Sequence, residues 1–186
     1  MITGDHIRET FTDYVAAHPE EEGALSVVLE RLGHGDDLTS RNTYPVHVTA
    51  GAVLVNESDD VLFIRHNVLG KYLTLGGHLE PGDANLMGAA LRELSEETGI
   101  RESVVPLLPG PVHIDVHDIP ANGAKGEPAH QHADVRWLFR TSGPVGVTLQ
   151  AEEVSAAEWR APDALVDGTL RKRVLSAVRR SPAARP

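Results

Sequence analysis

The sequence predicts an α/β sandwich built on a mixed β-sheet, with an N-terminal helical extension. Three observations predict it. Over the first forty residues, apolar side chains recur at three- and four-residue spacing, the period of packed helices. From Val46 the pattern becomes short, β-branched-rich runs separated by turn-prone residues. One helical stretch interrupts those runs and a second closes them, an order that suits a sheet with helices laid on it.

In chain order, Ile7, Phe11, Tyr14 and Val15 form the stripe of a first helix, and Leu25, Val28, Leu29 and Leu32 that of a second. His18-Pro19 and Glu20 to Glu22 separate them, and Gly33 to Gly35 close the second. These helices are expected to pack against the body; a dimerisation arm or a substrate lid is the other reading. Val46 to Val55 and Val61 to Ile64 read as a strand pair across the turn-forming Asn56 to Asp60. Leu73 to Leu75 lead into a Gly76-Gly77 turn. Leu86 to Thr98 reads as a helix capped by Asp83 or Asn85 and stopped at Gly99. Val112 to Val116 and Val135 to Phe139 read as further strands, with the Pro/Gly-rich Ile119 to Ala129 between them too long for a simple hairpin. Asp163 to Arg180 reads as the closing helix.

The 186 residues fit one domain with an extension, divided as 1–40 and 41–186. Without cysteine, disulfides, thiolate metal sites and cysteine nucleophiles are excluded. No apolar run approaches the roughly 18 residues of a membrane span, and the acidic start lacks the pattern of a signal peptide. A soluble, cytoplasmic protein is expected, and a homodimer is compatible with the sequence. The net charge of −10 argues against nucleic-acid backbone or anionic lipid as partner. It leaves room for a small phosphorylated substrate, because a divalent cation reverses the local field.

The stretch Gly76 to Ile100 carries the chemistry. On a helix, Glu93, Glu96 and Glu97 stand at i, i+3 and i+4, so their carboxylates share one face. Leu86, Ala90, Leu91 and Leu94 form the neighbouring apolar face, which holds the carboxylates at the margin of a core. A solvated acidic face paired with Arg92 is the plain alternative. The preceding turn favours a metal site: Gly76-Gly77 permits a backbone that turns a carbonyl toward a cation. Oxygen ligation by carboxylates, a carbonyl and water suits Mg2+, with Mn2+ as a substitute, and leaves positions for substrate phosphate.

These residues resemble the signature of the Nudix hydrolase family at Gly77, Asp83, Arg92, Glu93, Leu94, Glu96, Glu97, Gly99 and Ile100. Two departures stand out: Asp83 replaces a glutamate, and one extra residue separates it from Arg92. The insertion lies upstream of the glutamates, so Asp83 rather than the triplet is affected. The resemblance implies the Nudix α/β/α sandwich and cleavage of a diphosphate linkage in a nucleoside diphosphate derivative. It implies Glu93 and Glu97 as principal metal ligands, Glu96 assisting, the Gly77 carbonyl completing the set and Arg92 orienting the glutamates. Oxidised nucleoside triphosphates, nucleotide sugars, ADP-ribose and dinucleoside polyphosphates all stay open as substrates. A non-catalytic nucleotide sensor on the same fold is the alternative, against which the intact repulsive triplet speaks. Isopentenyl diphosphate isomerisation, also found on this fold, is disfavoured by the lack of cysteine.

Outside the box, Glu152 and Glu153 offer a base or an extra metal ligand, with a solvated loop pair as the bland reading. Alternation places His130, His132, Asp134 and Arg136 on one strand face, where they line a pocket, face solvent or hold a transition metal. His113, Asp115 and His117 form a similar set on the preceding strand. Arg65, His66, Lys71, His78 and Lys125 are phosphate-contact candidates. Trp137 and Trp159 read as core aromatics.

Overall fold

The computed structural model describes residues 1–67, 70–101, 104–124, 126–149 and 154–181. It contains the mixed sheet with helices that the sequence predicts. In chain order come α1 (Gly4–Ala17), α2 (Glu22–Gly33), β1 (Val46–Val55), β2 (Val61–His66), β3 (Tyr72–Leu73) and β4 (Leu75–His78), then α3 (Leu86–Thr98). These are followed by β5 (Val104–Pro106), β6 (His113–Ile119), β7 (His130–Thr141), β8 (Val154–Arg160) and α4 (Gly168–Arg180). Strands run in the order β3-β2-β1-β7-β5, with β4 on β1, β6 on β7 and β8 on β2. Among the described residues no helix is long and apolar enough to cross a membrane.

The chain divides into two compact units. One comprises Met1–Ala50, Gly77–Ala89 and Ile114–Val135, the other Gly51–Gly76, Ala90–His113 and Arg136–Pro186.

In the first unit, α1 and α2 bury the stripes that their spacing foretold, Ile7, Phe11 and Tyr14 on one and Leu25, Val28 and Leu32 on the other. Thr3 caps α1 by accepting from the His6 amide at 3.2 Å. Arg8 Nη2 donates to the Leu32 carbonyl at 2.6 Å, satisfying an orphan acceptor at the end of α2 with a cation the helix dipole favours. Tyr14 donates to Glu21 at 2.6 Å. The segment expected as a long loop is a tighter device: Asn122 and Glu127 form a β-bridge, and Arg41 ties Glu127 at 3.1 Å.

The second unit holds a core of Val53, Val55, Val61, Phe63, Val112, Leu138 and Leu165, against which α4 sets Leu170, Val174, Ala177 and Val178. Their i, i+4, i+7, i+8 spacing is the buried stripe of a surface helix, and each fully buried Val or Leu contributes roughly 1.5–3 kcal/mol. Asp167 caps α4 at the Leu170 amide, 2.6 Å away. The helix therefore begins at Gly168 and not at Asp163, which lies in a separate 3-10 turn, Pro162–Ala164. The turn between β1 and β2 is an Asx turn, with Asn56 Oδ1 accepting from the amides of Ser58 and Asp60 at 2.9 Å. Buried Arg140 pins it through Asn56 O and Asp59. Trp137 is buried, but Trp159 is only half-buried on β8.

Candidate functional site

Helix α3 forms over the predicted residues. Asn85 is its cap, Oδ1 accepting from the Gly88 amide at 2.7 Å. Asp83 instead braces the loop: it is 6% exposed and accepts from the Glu80 amide at 2.7 Å. The Leu86 amide at the head of the helix donates to His6 Nε2 at 3.2 Å, so α1 also serves this terminus. At the other end Gly99 adopts φ +71°, the left-handed stop that favours glycine. A Cβ there would meet Thr148 Cβ at 3.1 Å, so a larger residue would also crowd Thr148. The Thr98 carbonyl accepts from the Thr148 amide at 2.7 Å.

The apolar face is Leu86, Ala89, Ala90 and Leu94, all buried, with Leu91 half-buried. The carboxylates grade across the margin: Glu97 is 5% exposed, Glu93 partly covered and Glu96 open. Arg92 Nη1 donates to Glu93 at 2.9 Å and to Glu96 at 3.0 Å, holding the two acids in a fixed fork. Glu97 Oε2 accepts from the Gly76 amide at 3.1 Å. The glycine pair lies in strand β4 rather than in a tight turn, with Gly76 at φ +154°. That φ lies in a region that favours glycine; Gly76 presents its N–H to the carboxylate, and Gly77 follows in the same strand. Two of the three glutamates sit in the last helical turn, where the dipole is negative and carboxylates are disfavoured.

The histidines gather in the other unit. His47 on β1 stacks on His130 with centroids 5.0 Å apart and meets His132 at 4.7 Å and His78 at 5.2 Å. His78 reaches His132 at 5.1 Å, and His117 reaches it at 5.9 Å. His130 is 7% exposed, which removes the solvent-face reading for it, and His47 is 1% exposed. His47 Nδ1 donates to Thr43 O at 3.1 Å and His130 Nδ1 to Pro128 O at 2.8 Å, while His117 Nδ1 lies 2.9 Å from Asp115. Burial pushes His132 down to about 3, with help from the charges of His47, His78, His130 and His117. Burial likewise takes His78 to about 4 and lowers His47. His78 and His132 are therefore neutral near pH 7.

The remaining sequence candidates scatter. Asp134 accepts from Thr49 Oγ1 at 3.0 Å. Arg136 is half-buried on β7, and Arg65 is exposed on β2, facing Tyr72 and Ala156 in register. His113 sits in the second unit, 3.3 Å from Arg173 and 3.6 Å from Asp167. Lys125, Glu152 and Glu153 lie outside the described residues. Sequence reasoning missed His47. Its signal was a lone histidine in the otherwise apolar run of β1.

The model of the NUDIX domain matches residues 45–180. The chain belongs to the Nudix family. A curated relative, the "Probable DHNTP pyrophosphohydrolase" of Lactococcus lactis subsp. cremoris, is 33% identical over 109 residues, which are 59% of this chain. The chain spans 58% of that relative's length. Among solved structures, the Nudix fold is shared with a C. elegans Ap4A hydrolase in a binary complex. That match has TM-score 0.54 and 21% identity, covering 72% of this chain and 98% of the other. The E. coli dihydroneopterin triphosphate pyrophosphohydrolase matches at TM-score 0.51 and 15% identity, covering 69% and 92%. A Nudix-family hydrolase from Clostridium perfringens matches at 0.53 and 20%, covering 73% and 97%.

Proposed function

We propose that this Nudix protein hydrolyses a diphosphate linkage in a nucleoside diphosphate derivative, using Mg2+ held by Glu93 and Glu97 with Glu96 assisting. The observation that carries this is the acidic helix: a buried Glu97 and an Arg92-bridged Glu93/Glu96 pair on one face, two of these acids at the unfavourable end of the helix dipole. Such a charge cluster is repulsive unless a cation joins it. Its all-oxygen donors suit Mg2+, and Mn2+ as its substitute. The Gly77 carbonyl is proposed as a further ligand.

When bound, the cation neutralises the phosphoryl oxygens and acts as a Lewis acid. The chain's own part is positional. Gly76 N–H fixes one oxygen of Glu97, and Arg92 holds Glu93 and Glu96 in place, so the acids are set before substrate arrives. Water attacks one phosphorus, the P–O bond of the anhydride breaks, and the second phosphate leaves. The water's proton passes to a carboxylate, either a box glutamate or Glu152 or Glu153. Residues 1–40 are read as an extension of a domain running from 41 to 186, and the protein as cytoplasmic.

The relatives' names supply the substrate range to try: dinucleoside polyphosphates and dihydroneopterin triphosphate beside nucleoside triphosphates, nucleotide sugars and ADP-ribose. A Mg2+-dependent hydrolysis screen across these is expected to find turnover that Glu97→Gln strongly reduces. Tight binding of one compound without turnover would favour a sensor. Turnover that Glu97→Gln leaves untouched would overturn the site.

A further inference from the structure

We propose that His47, His130 and His132 form a binding site for a divalent transition metal of the Zn2+ type, separate from the acidic helix. Each offers a ring nitrogen, and these nitrogens all lie within 4.8 Å of one another. The three come from two strands, β1 and β7, and are contained in one compact unit.

The hydrogen bonds decide which atoms are available. His47 and His130 each commit Nδ1–H to a backbone carbonyl, of Thr43 and Pro128 respectively. In a neutral imidazole this leaves Nε2 as a lone pair. Such outer bonds to carbonyls are how metal-binding histidines are oriented and their tautomer set. His47 Nε2 is buried and has no hydrogen-bond partner among the described residues, an unfavourable arrangement if nothing fills it. His130 Nε2 and His132 Nε2 face each other at 3.2 Å. Two imidazoles on a tetrahedral zinc, with Zn–N near 2.0–2.1 Å, hold their nitrogens about 3.3–3.4 Å apart. A ring hydrogen bond between His130 and His132 would also explain that distance, but it would leave His47 Nε2 orphaned. One cation that draws the three nitrogens, which lie within 4.8 Å of one another, to that spacing would satisfy all of them.

Imidazole nitrogens select zinc-like ions over the hard Mg2+ that carboxylates prefer. Three protein ligands leave a fourth position for water. His78 and His117 stand beside the cluster, and His117 is itself oriented by the Asp115 carboxylate.

The test is a titration of the metal-stripped, full-length protein with Co2+ and then Zn2+ in excess Mg2+. The expected result is one equivalent of Co2+ with the intense visible bands of tetrahedral nitrogen ligation, displaced by Zn2+. His132→Asn and His47→Gln should each weaken binding more than about tenfold, the least that disturbing even an outer partner costs. Far-UV circular dichroism checks that both variants fold. Glu97→Gln should leave this binding unchanged. The proposal is overturned if wild-type protein gives no such bands, a result that needs no variant. It is also overturned if binding survives both histidine changes, or is lost in Glu97→Gln, which would put the ion on the acidic helix. Hydrolytic activity enters none of these readouts, so failure here leaves the hydrolase reading standing, and the reverse.

Discussion

The acidic helix and the histidine cluster concentrate titratable groups by opposite means. On α3 the acids are neighbours in sequence, arrayed by the helical period, and are held by Arg92 and the Gly76 amide. In the cluster the histidines come from four strands, β1, β4, β6 and β7, and burial keeps His78 and His132 neutral. One region therefore suits a hard cation and phosphate, the other a softer ion. A local motif can place charge, whereas neutral ligands are assembled by tertiary contact.

The comparison breaks first at Glu97. Glu97→Gln keeps an acceptor for Gly76 N–H while removing a charge, so turnover should fall by roughly 10²–10³ with the melting temperature unchanged or raised. Steady-state kinetics and a thermal melt on the same sample check this, and a large loss of melting temperature would mean that the carboxylate is structural. The apolar face of the same helix should behave inversely. Leu94→Ala, at a fully buried position, should cost roughly 2–5 kcal/mol in urea denaturation.

Smaller effects are expected at the supports of the two regions. His6→Ala removes the acceptor of the Leu86 amide, and about 1 kcal/mol of stability should go with it, the usual scale for losing a helix cap. Equal stability would show that water replaces the ring fully. Thr49→Val, which deprives Asp134 of its hydroxyl donor, should cost about 0.5–1.5 kcal/mol. Finally, the metal-free protein should lose stability as pH falls below about 6.5, the pKa of an unfolded histidine. His78 and His132 bind their protons first in the unfolded chain, because their folded values are depressed to about 4 and about 3. Melting temperatures that rise between pH 7 and pH 5 would contradict that sign.

The contrast also explains what could be read in advance. Strand β1 and helix α3 have the predicted limits because their apolar periods run unbroken between turn residues. The glutamates came with that helix. Strands β3 and β5, two and three residues long, are too short for any period to register. Strand β7 begins at His130, where the alternation of His130, His132, Asp134 and Arg136 already marks a strand face ahead of the β-branched run from Val135. His130 and His132 were visible as a pair, but their partner His47 lies more than eighty residues away. Only the register of β1 and β7 joins them, and register is a property of the sheet rather than of either segment.

The bond from His6 to the Leu86 amide has a practical side. The family match begins at residue 45, and trimming the protein there would keep every residue of the acidic helix. It would instead strip the opening amide of α3 of its acceptor and discard the buried faces of α1 and α2. A shortened protein that proved inactive would then report a damaged helix start, not a missing catalytic group, and assays meant to find the substrate should begin from the intact N-terminus.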